Sequence, residues 1–403
     1  ERLMDKTEIA PTVAPPAQPY QVGDTKNFWV TNSDTAENRQ VSATLRYGTD
    51  VILFWIEDGV DYSQNDLRRL ADTFTSEIYP TNRQFFGSEW SPGIDGDPRL
   101  YVLYAGGIGE SVAGYFSSAD EIHPEAFEFS NAHEMFVLSA DNVSLGEDYI
   151  YGTMAHEFQH MIHYALDRNE ESWVNEGFSM LAELLNNYDA GGFDYIFASD
   201  PDMQLTTWEI QAASRKHYGA SYLYFSYFLS RFGELATQAL VAHPANGMDS
   251  VEGVLQELAL KDESGAPLAA DEVFADWTVA NYLDEGTIPG DRFNISVYPD
   301  APKVSPTETF EVCPLETQYR DVAQYGTDYI QLTCRGDYNF TFEGATEVSL
   351  LPERPFSGDY SVWSNQGDES DMTLTREFDF SALSGDIALR YQTWFDIETD
   401  YEY

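Results

Sequence analysis

Two histidines one helical turn apart, in the run His156-Glu157-Phe158-Gln159-His160, constrain this chain more tightly than any other feature. The run has meaning only on a helix, and the surrounding sequence writes one. Tyr151, Met154, Ala155, Phe158, Met161, Ile162 and Ala165 recur at offsets of three and four, which lays one apolar stripe along residues 149–166. His156 and His160 lie beside that stripe and point to the same side, so both imidazoles can reach one ion at about 2 Å from each nitrogen. Glu157 is next in line, near enough to take a proton from a water on such an ion without being a ligand itself. Hydrolysis is the chemistry this arrangement supports. The plainer alternative is a pair of hydrogen-bonded histidines on a packed helix.

A hydrolytic zinc takes three protein ligands and leaves a fourth position for water. After His160 the available ligand types are His163 and several carboxylates. His163 is displaced from His156 by two helical turns, about 10 Å, which suits packing or support of a ligand better than ligation. Residues 170–179 follow, containing Trp173-Val174-Asn175-Glu176-Gly177. Ser172 can cap a second helix running to about Asn187, with Phe178, Leu181, Leu184 and Leu185 on its buried side. Glu176 then stands in the first turn and faces the first helix across a short hairpin. The alternative for Glu176 is a solvated first-turn carboxylate favoured by the helix dipole.

H-E-x-x-H followed by W-x-N-E-G on a second helix resembles the gluzincin metallopeptidases, the class to which thermolysin belongs. The resemblance implies that His156, His160 and Glu176 ligate zinc and that Glu157 is the general base. The longer metzincin pattern is not met, because His163 stands where its glycine would be and Leu166 where its third histidine would be. Upstream, Asp95-Gly96-Asp97-Pro98-Arg99-Leu100-Tyr101-Val102-Leu103, Val112-Ala113-Gly114-Tyr115-Phe116 and Ser117-Ser118-Ala119-Asp120 resemble the sheet region of secreted bacterial peptidases of the hyicolysin type. The run Trp363-Ser364-Asn365-Gln366-Gly367-Asp368-Glu369-Ser370-Asp371-Met372-Thr373-Leu374-Thr375 is similar to the jelly-roll region of immune inhibitor A peptidases. Those enzymes carry a glycine after the second histidine that this chain lacks. The immune inhibitor likeness therefore guides the architecture, and the gluzincin likeness the metal site.

The implied fold is α+β: a thermolysin-like catalytic domain, with a mixed sheet lobe and a helical lobe, followed by an all-β jelly-roll-like sandwich. An extended, proline-bearing arm is expected over residues 1–18, the catalytic domain over 19–290 and the sandwich over 291–403. Strands are expected at 26–30, 40–47, 51–56, 99–104 and 135–140. Residues 112–118 read as an edge strand, either one that pairs with an extended substrate or one covered by the loop through His123 and His133. Ser63 with Asp66 opens a helix carrying Leu67, Leu70, Ala71, Phe74 and Ile78 and ending at Pro80. Later helices are expected from His217, at 234–242, at 250–260 and at 270–283. Beyond residue 309 the pattern alternates in the β manner, at 329–333, 373–378 and 387–394.

Zinc peptidases commonly add a phenol or imidazole that donates to the oxyanion, and Tyr218 follows the metal motifs as such a group would, with His217 in reserve. Against this, Tyr218, Tyr222, Phe225 and Leu229 repeat at helical spacing and suit a core equally. Calcium is a second candidate ion, at the Asp95-Gly96-Asp97 turn or at Asp368, Glu369 and Asp371. Two aspartates alone fall short of the six or more oxygens calcium takes. Cys313 and Cys334 are read as a disulfide worth about 3 kcal/mol, the alternative being two buried thiols. A bridge agrees with an extracellular location.

Composition narrows the partners. The chain has 403 residues, 43% hydrophobic and 15% aromatic, ample for packed cores, and a net charge of −48 from 69 acidic against 21 basic side chains. No nucleic-acid partner is expected, since phosphate binding needs the opposite sign. Such a surface suits high salt, calcium or cationic peptides steered from a distance. The longest wholly apolar run, 51–56, is far short of the roughly twenty residues that span a bilayer. Glu1 is not an initiator methionine, and residues 394–403 break off in what reads as a strand, so a trimmed product of a longer chain is expected. The sequence thus reads as a secreted zinc endopeptidase acting on polypeptides. An exopeptidase of the same class, or an adhesion or glycan-binding protein with a structural metal, is the alternative; no G-x-M-E-N stretch of the aminopeptidase kind is present.

Overall fold

The computed structural model describes residues 9–189, 191–209, 214–262, 264–284, 292–345, 349, 354–364, 373–381 and 384–395. The chain divides into two compact units, Glu1–Cys334 and Arg335–Tyr403.

In the first unit a six-stranded sheet takes shape from strands β1 (Thr25–Thr31), β2 (Asn38–Gly48), β3 (Ile52–Glu57), β4 (Leu100–Ala105), β5 (Gly114–Phe116) and β6 (Met135–Ser139), in the order β1-β2-β3-β4-β6-β5. The strands β3, β4 and β6 are parallel neighbours, and the other pairings are antiparallel. These three strands are apolar at nearly every position because both faces of the sheet are covered. Ile52, Phe54, Ile56, Val102, Phe136 and Leu138 face the helices. Leu53, Trp55, Tyr101, Leu103 and Val137 face the other way, against Phe28, Val30 and Val41. A register shift between Leu45 and Tyr47 marks a bulge that adds twist where β1 and β2 curl over this second core. Tyr20, just after the arm, closes that core with its ring edge-on to Trp55 at 5.2 Å.

Helix α1 (Gln64–Thr73) starts at Ser63, whose hydroxyl accepts from the Asp66 backbone N–H at 3.4 Å. It does not stop at Pro80. A single wide π turn over Phe74–Ile78 leads straight into α2 (Tyr79–Phe86), with the proline in the first turn of the new segment, where its missing N–H is not needed. Helix α3 (Asp148–Leu166) runs through the middle of the unit and is buried at every position from Ile150 to Gln159. Phe158 anchors it against the sheet side through Phe74 at 5.4 Å and Tyr79 at 5.2 Å.

The remaining helices are α4 (Ser172–Leu185), α5 (Phe193–Ser199), α6 (Ser214–Val241), α7 (Gly247–Glu257) and α8 (Ala270–Leu283). Ser172 lies inside α4, and the capping position falls on Glu171. The helices expected from His217 and at 234–242 are one element kinked at Gly233, whose φ of 77° is open to glycine. Helix α5 has no counterpart among the helices expected from the sequence. Gly177 lets α4 and α6 meet closely, since a Cβ there would lie 2.4 Å from the Phe225 ring.

Residues 292–334 pack onto this helical lobe. Ile295 and Val304 are buried, the Val304 N–H donates to the Asn281 carbonyl at 3.0 Å, and the Tyr329 hydroxyl donates to the Thr278 carbonyl at 2.6 Å. The division at Cys334 therefore falls beyond the boundary expected near residue 290. Two short parallel strands, β7 (Glu308–Phe310) and β8 (Ile330–Leu332), lie in this stretch, and a disulfide joins Cys313 to Cys334. In the second unit the described residues form no helix or strand, so the expected sandwich is not shown there. Asp368, Glu369 and Asp371 lie outside the described residues.

Between β5 and β6 the chain buries three carboxyl groups. Burial pushes Asp120 up to about 7, although the backbone and side-chain amides of Asn131 both donate to it. Burial, helped by the charge of Glu134, pushes Glu121 up to about 8, and burial pushes Glu134 up to about 7. A carboxyl whose folded pKa is raised stabilises the fold below its unfolded value and loses that contribution as pH rises through the folded value. Glu121→Gln, which stays neutral throughout, should therefore gain stability relative to the parent as pH rises from 5 to 8. Urea unfolding midpoints of the two proteins across that range measure the difference; a constant offset would contradict the assignment.

Candidate metal centre

The hairpin of α3 and α4 brings His156, His160 and Glu176 together, with one ligand atom from each inside a span of 4.8 Å. Glu176 Oε2 lies 3.2 Å from His156 Nε2 and 3.4 Å from His160 Nε2. The outward nitrogens are also held. His156 Nδ1 meets Glu183 Oε1 at 2.9 Å, and His160 Nδ1 lies 3.0 Å from both Asn175 Oδ1 and Ser179 Oγ. Ser179 in turn donates to Gln159 Oε1 at 2.6 Å. The hairpin is pinned from behind by buried Asn82, which donates to the Ala155 carbonyl at 2.8 Å and accepts from Asn186 at the end of α4.

Electrostatically the cluster is a knot of coupled titratable groups in a largely buried place. Burial would depress the His156 imidazole, but its hydrogen bonds to Glu176 and Glu183 carry it well above its ordinary range. His160 is raised too, with burial overcome by the charge of Glu176. Burial opposes ionisation of Glu176, yet the two imidazoles hold its carboxyl far below the usual carboxylate range. Each imidazole has one nitrogen fixed by an acceptor on α4 and the other aimed at a shared point beside a carboxylate. Two imidazoles and a carboxylate so arranged fit a zinc ion by ligand type and number.

Glu157 lies between the cluster and the edge of the sheet, where it feels the charges of His156, His160 and Glu176. Its carboxylate accepts from the Phe116 backbone N–H at 2.7 Å, which ties the edge strand β5 to α3. Burial pushes its pKa up, against the pull of the two imidazoles. Tyr218, in the first turns of α6, has its ring 6.2 Å from that of His156 and is held between Phe193 at 5.2 Å and Trp208 at 4.9 Å. Burial and the charges of Glu176 and Glu157 keep its phenol protonated well beyond its ordinary pKa.

The structure does not bring His217 into this group. It is buried on the next face of α6, 5.5 Å from the Trp208 ring, and burial lowers its pKa. His163 is buried edge-on to Phe178 at 5.7 Å, and burial lowers it to about 3, so it packs as a neutral ring. The carboxylates of the Asp95-Gly96-Asp97 turn are engaged within the protein, Asp95 by His133 Nδ1 at 2.7 Å and Asp97 by Arg99 Nε at 2.9 Å. Glu183 and Ser179 are the members of the site that the sequence reading missed. The available signal was spacing: Glu183 stands seven residues after Glu176, on the same face of α4 two turns along.

No family model matches the chain. The neutral metalloprotease ShpI of Staphylococcus hyicus is 22% identical over 260 residues, which cover 59% of this chain. The chain spans 59% of the length of that relative. The likeness supports a metallopeptidase family.

Because His163 is neutral and packed, His163→Leu should be tolerated, costing less than about 1.5 kcal/mol as a near volume-conserving swap. Urea unfolding monitored by tryptophan fluorescence would measure this. A loss of 3 kcal/mol or more, on the order of a broken buried polar network, would show that the imidazole is needed as such.

Proposed function

We propose that the chain is a secreted zinc-dependent endopeptidase, with His156, His160 and Glu176 as the zinc ligands and Glu157 as general base. The observation that carries this reading is the convergence of those three ligand atoms within 4.8 Å, with the buried carboxylate of Glu157 close enough to feel all three charges. When bound there, zinc supplies Lewis acidity that polarises a scissile carbonyl and acidifies water.

The protein groups do the rest. Glu157, made more basic by burial, takes a proton from the attacking water and returns it to the leaving amine nitrogen. The Phe116 N–H holds the Glu157 side chain in place for both transfers. Tyr218 keeps its proton and donates a hydrogen bond to the oxyanion as the carbonyl carbon becomes tetrahedral. The strand β5 sits at the edge of the sheet and suits main-chain pairing with an extended peptide, which serves any side-chain sequence. The net charge of −48 favours cationic substrates. Secretion is supported by the disulfide between Cys313 and Cys334.

Glu157→Gln is expected to keep one equivalent of zinc while its rate of casein cleavage falls by about 100-fold or more. Metal analysis beside the cleavage assay tests both halves, and equal activity in variant and parent would end the assignment. Internal cleavage of a peptide blocked at both ends, followed by mass spectrometry, separates an endopeptidase from an exopeptidase. Tyr218→Phe should lower kcat by about 100-fold with little change in KM, the pattern of a donor used in the transition state.

A further inference from the structure

Deepening that reading, and resting on Tyr218 as the donor to the oxyanion, we infer that Asp194 of α5 and Tyr298, beyond α8, are positioning residues for the Tyr218 phenol. Tyr218 packs in a small cluster separate from the two large cores. The cluster is built around Met180 of α4 and Tyr222 of α6, with Leu184, Phe193 and Tyr298 against them. The Tyr218 ring stacks on Phe193, the first residue of α5, and meets Trp208 nearly at right angles. The direction of the phenol is therefore set by where α5 sits.

Helix α5 has seven residues, too few to hold its place by backbone bonds alone. Contacts with its surroundings fix it. Gly219, next to Tyr218, lets the start of α5 lie directly on α6: a Cβ there would stand 2.1 Å from the Phe193 carbonyl oxygen and 2.8 Å from the Asp194 nitrogen. The Asp194 carboxylate, 1% exposed, accepts from the Tyr298 hydroxyl at 2.8 Å. The Tyr298 ring lies 5.2 Å from that of Tyr222, one turn after Tyr218 on α6. Its neighbour Val297 donates its N–H to Ser230 Oγ, further along α6, at 3.1 Å. A closed circuit results, in which α6 holds the turn carrying Tyr298, Tyr298 holds Asp194, and the adjoining Phe193 holds the ring of Tyr218. Without the Tyr298 hydroxyl a buried carboxylate loses a donor, and the start of α5 is drawn toward water. A displacement of about 1 Å at the phenol is enough to slow the reaction severely.

The test is steady-state cleavage of an internally quenched peptide, blocked at both ends, by the full, zinc-loaded chain. Tyr298→Phe, which removes the hydroxyl and keeps the ring, should lower kcat by about 10-fold with KM and zinc content unchanged. Asp194→Ala should do the same, and Asp194→Asn, whose amide oxygen still accepts from Tyr298, should recover most of the loss. In a Tyr218→Phe background neither Tyr298→Phe nor Asp194→Ala should lower kcat further, because both act through the phenol. Full kcat in Tyr298→Phe and Asp194→Ala would overturn the inference, as would an equal loss with and without the Tyr218 hydroxyl. If Asp194→Ala does not fold, Tyr298→Phe decides between these outcomes by itself. A Tyr218→Phe protein as fast as the parent removes Tyr218 as the donor, and this inference with it, while leaving the zinc site standing. A parent that cleaves no peptide removes the functional reading itself.

Discussion

The grip of α4 on the two imidazoles of α3 is the interaction on which the rest of this molecule depends. Both helices are buried along most of their length, and each contributes groups that would be costly to bury alone. Paired across the hairpin, His156 with Glu183 and Glu176, and His160 with Asn175 and Ser179, they satisfy one another. The apolar packing of Phe158, Phe178 and Phe225 on either side then has a fixed axis to close upon.

That arrangement concentrates negative charge. Glu157, Glu176 and Glu183 surround two imidazoles in a largely buried region, so each charge is felt strongly by the next. The consequences diverge by neighbour: Glu176 is driven toward the ionised state by the rings it touches, while Glu157, facing the sheet, is driven toward the protonated one. Two carboxyl groups on adjoining helices thus acquire opposite tendencies from a few ångströms of difference in placement. One suits holding a cation and the other suits passing a proton.

Much of this was legible in the chain before any coordinates. Offsets of three and four around His156 define α3, and the apolar runs at 51–56, 99–104 and 135–140 correspond to the three parallel strands. Glu176 could be picked out because W-x-N-E-G on a second helix resembles the gluzincin pattern, which implies that residue as a ligand. Glu183 was marked only by its spacing of seven from Glu176, a weak signal because an acidic residue on a helix is commonplace, and its role emerges when α3 lies alongside. Pro80 misled for a related reason: a proline ends a helix only if its N–H is required, and the wide turn before it removes that requirement. The capping of α4 was misplaced by one residue and α5 was missed altogether, because short helices leave too few periods to read.

The bond between the Phe116 N–H and Glu157 has a partner on the opposite side of the same strand. There the Tyr115 phenol accepts from the Thr31 N–H of β1 at 3.0 Å. Adjacent residues of β5 are thus bolted to different layers, one to the curled sheet and one to the buried helix. A slip of a single residue would turn the Tyr115 side chain to the wrong face and carry the Phe116 N–H away from Glu157, unfastening both. A three-residue strand, too short to hold its alignment by ladder bonds alone, is in this way indexed like a key cut on two sides.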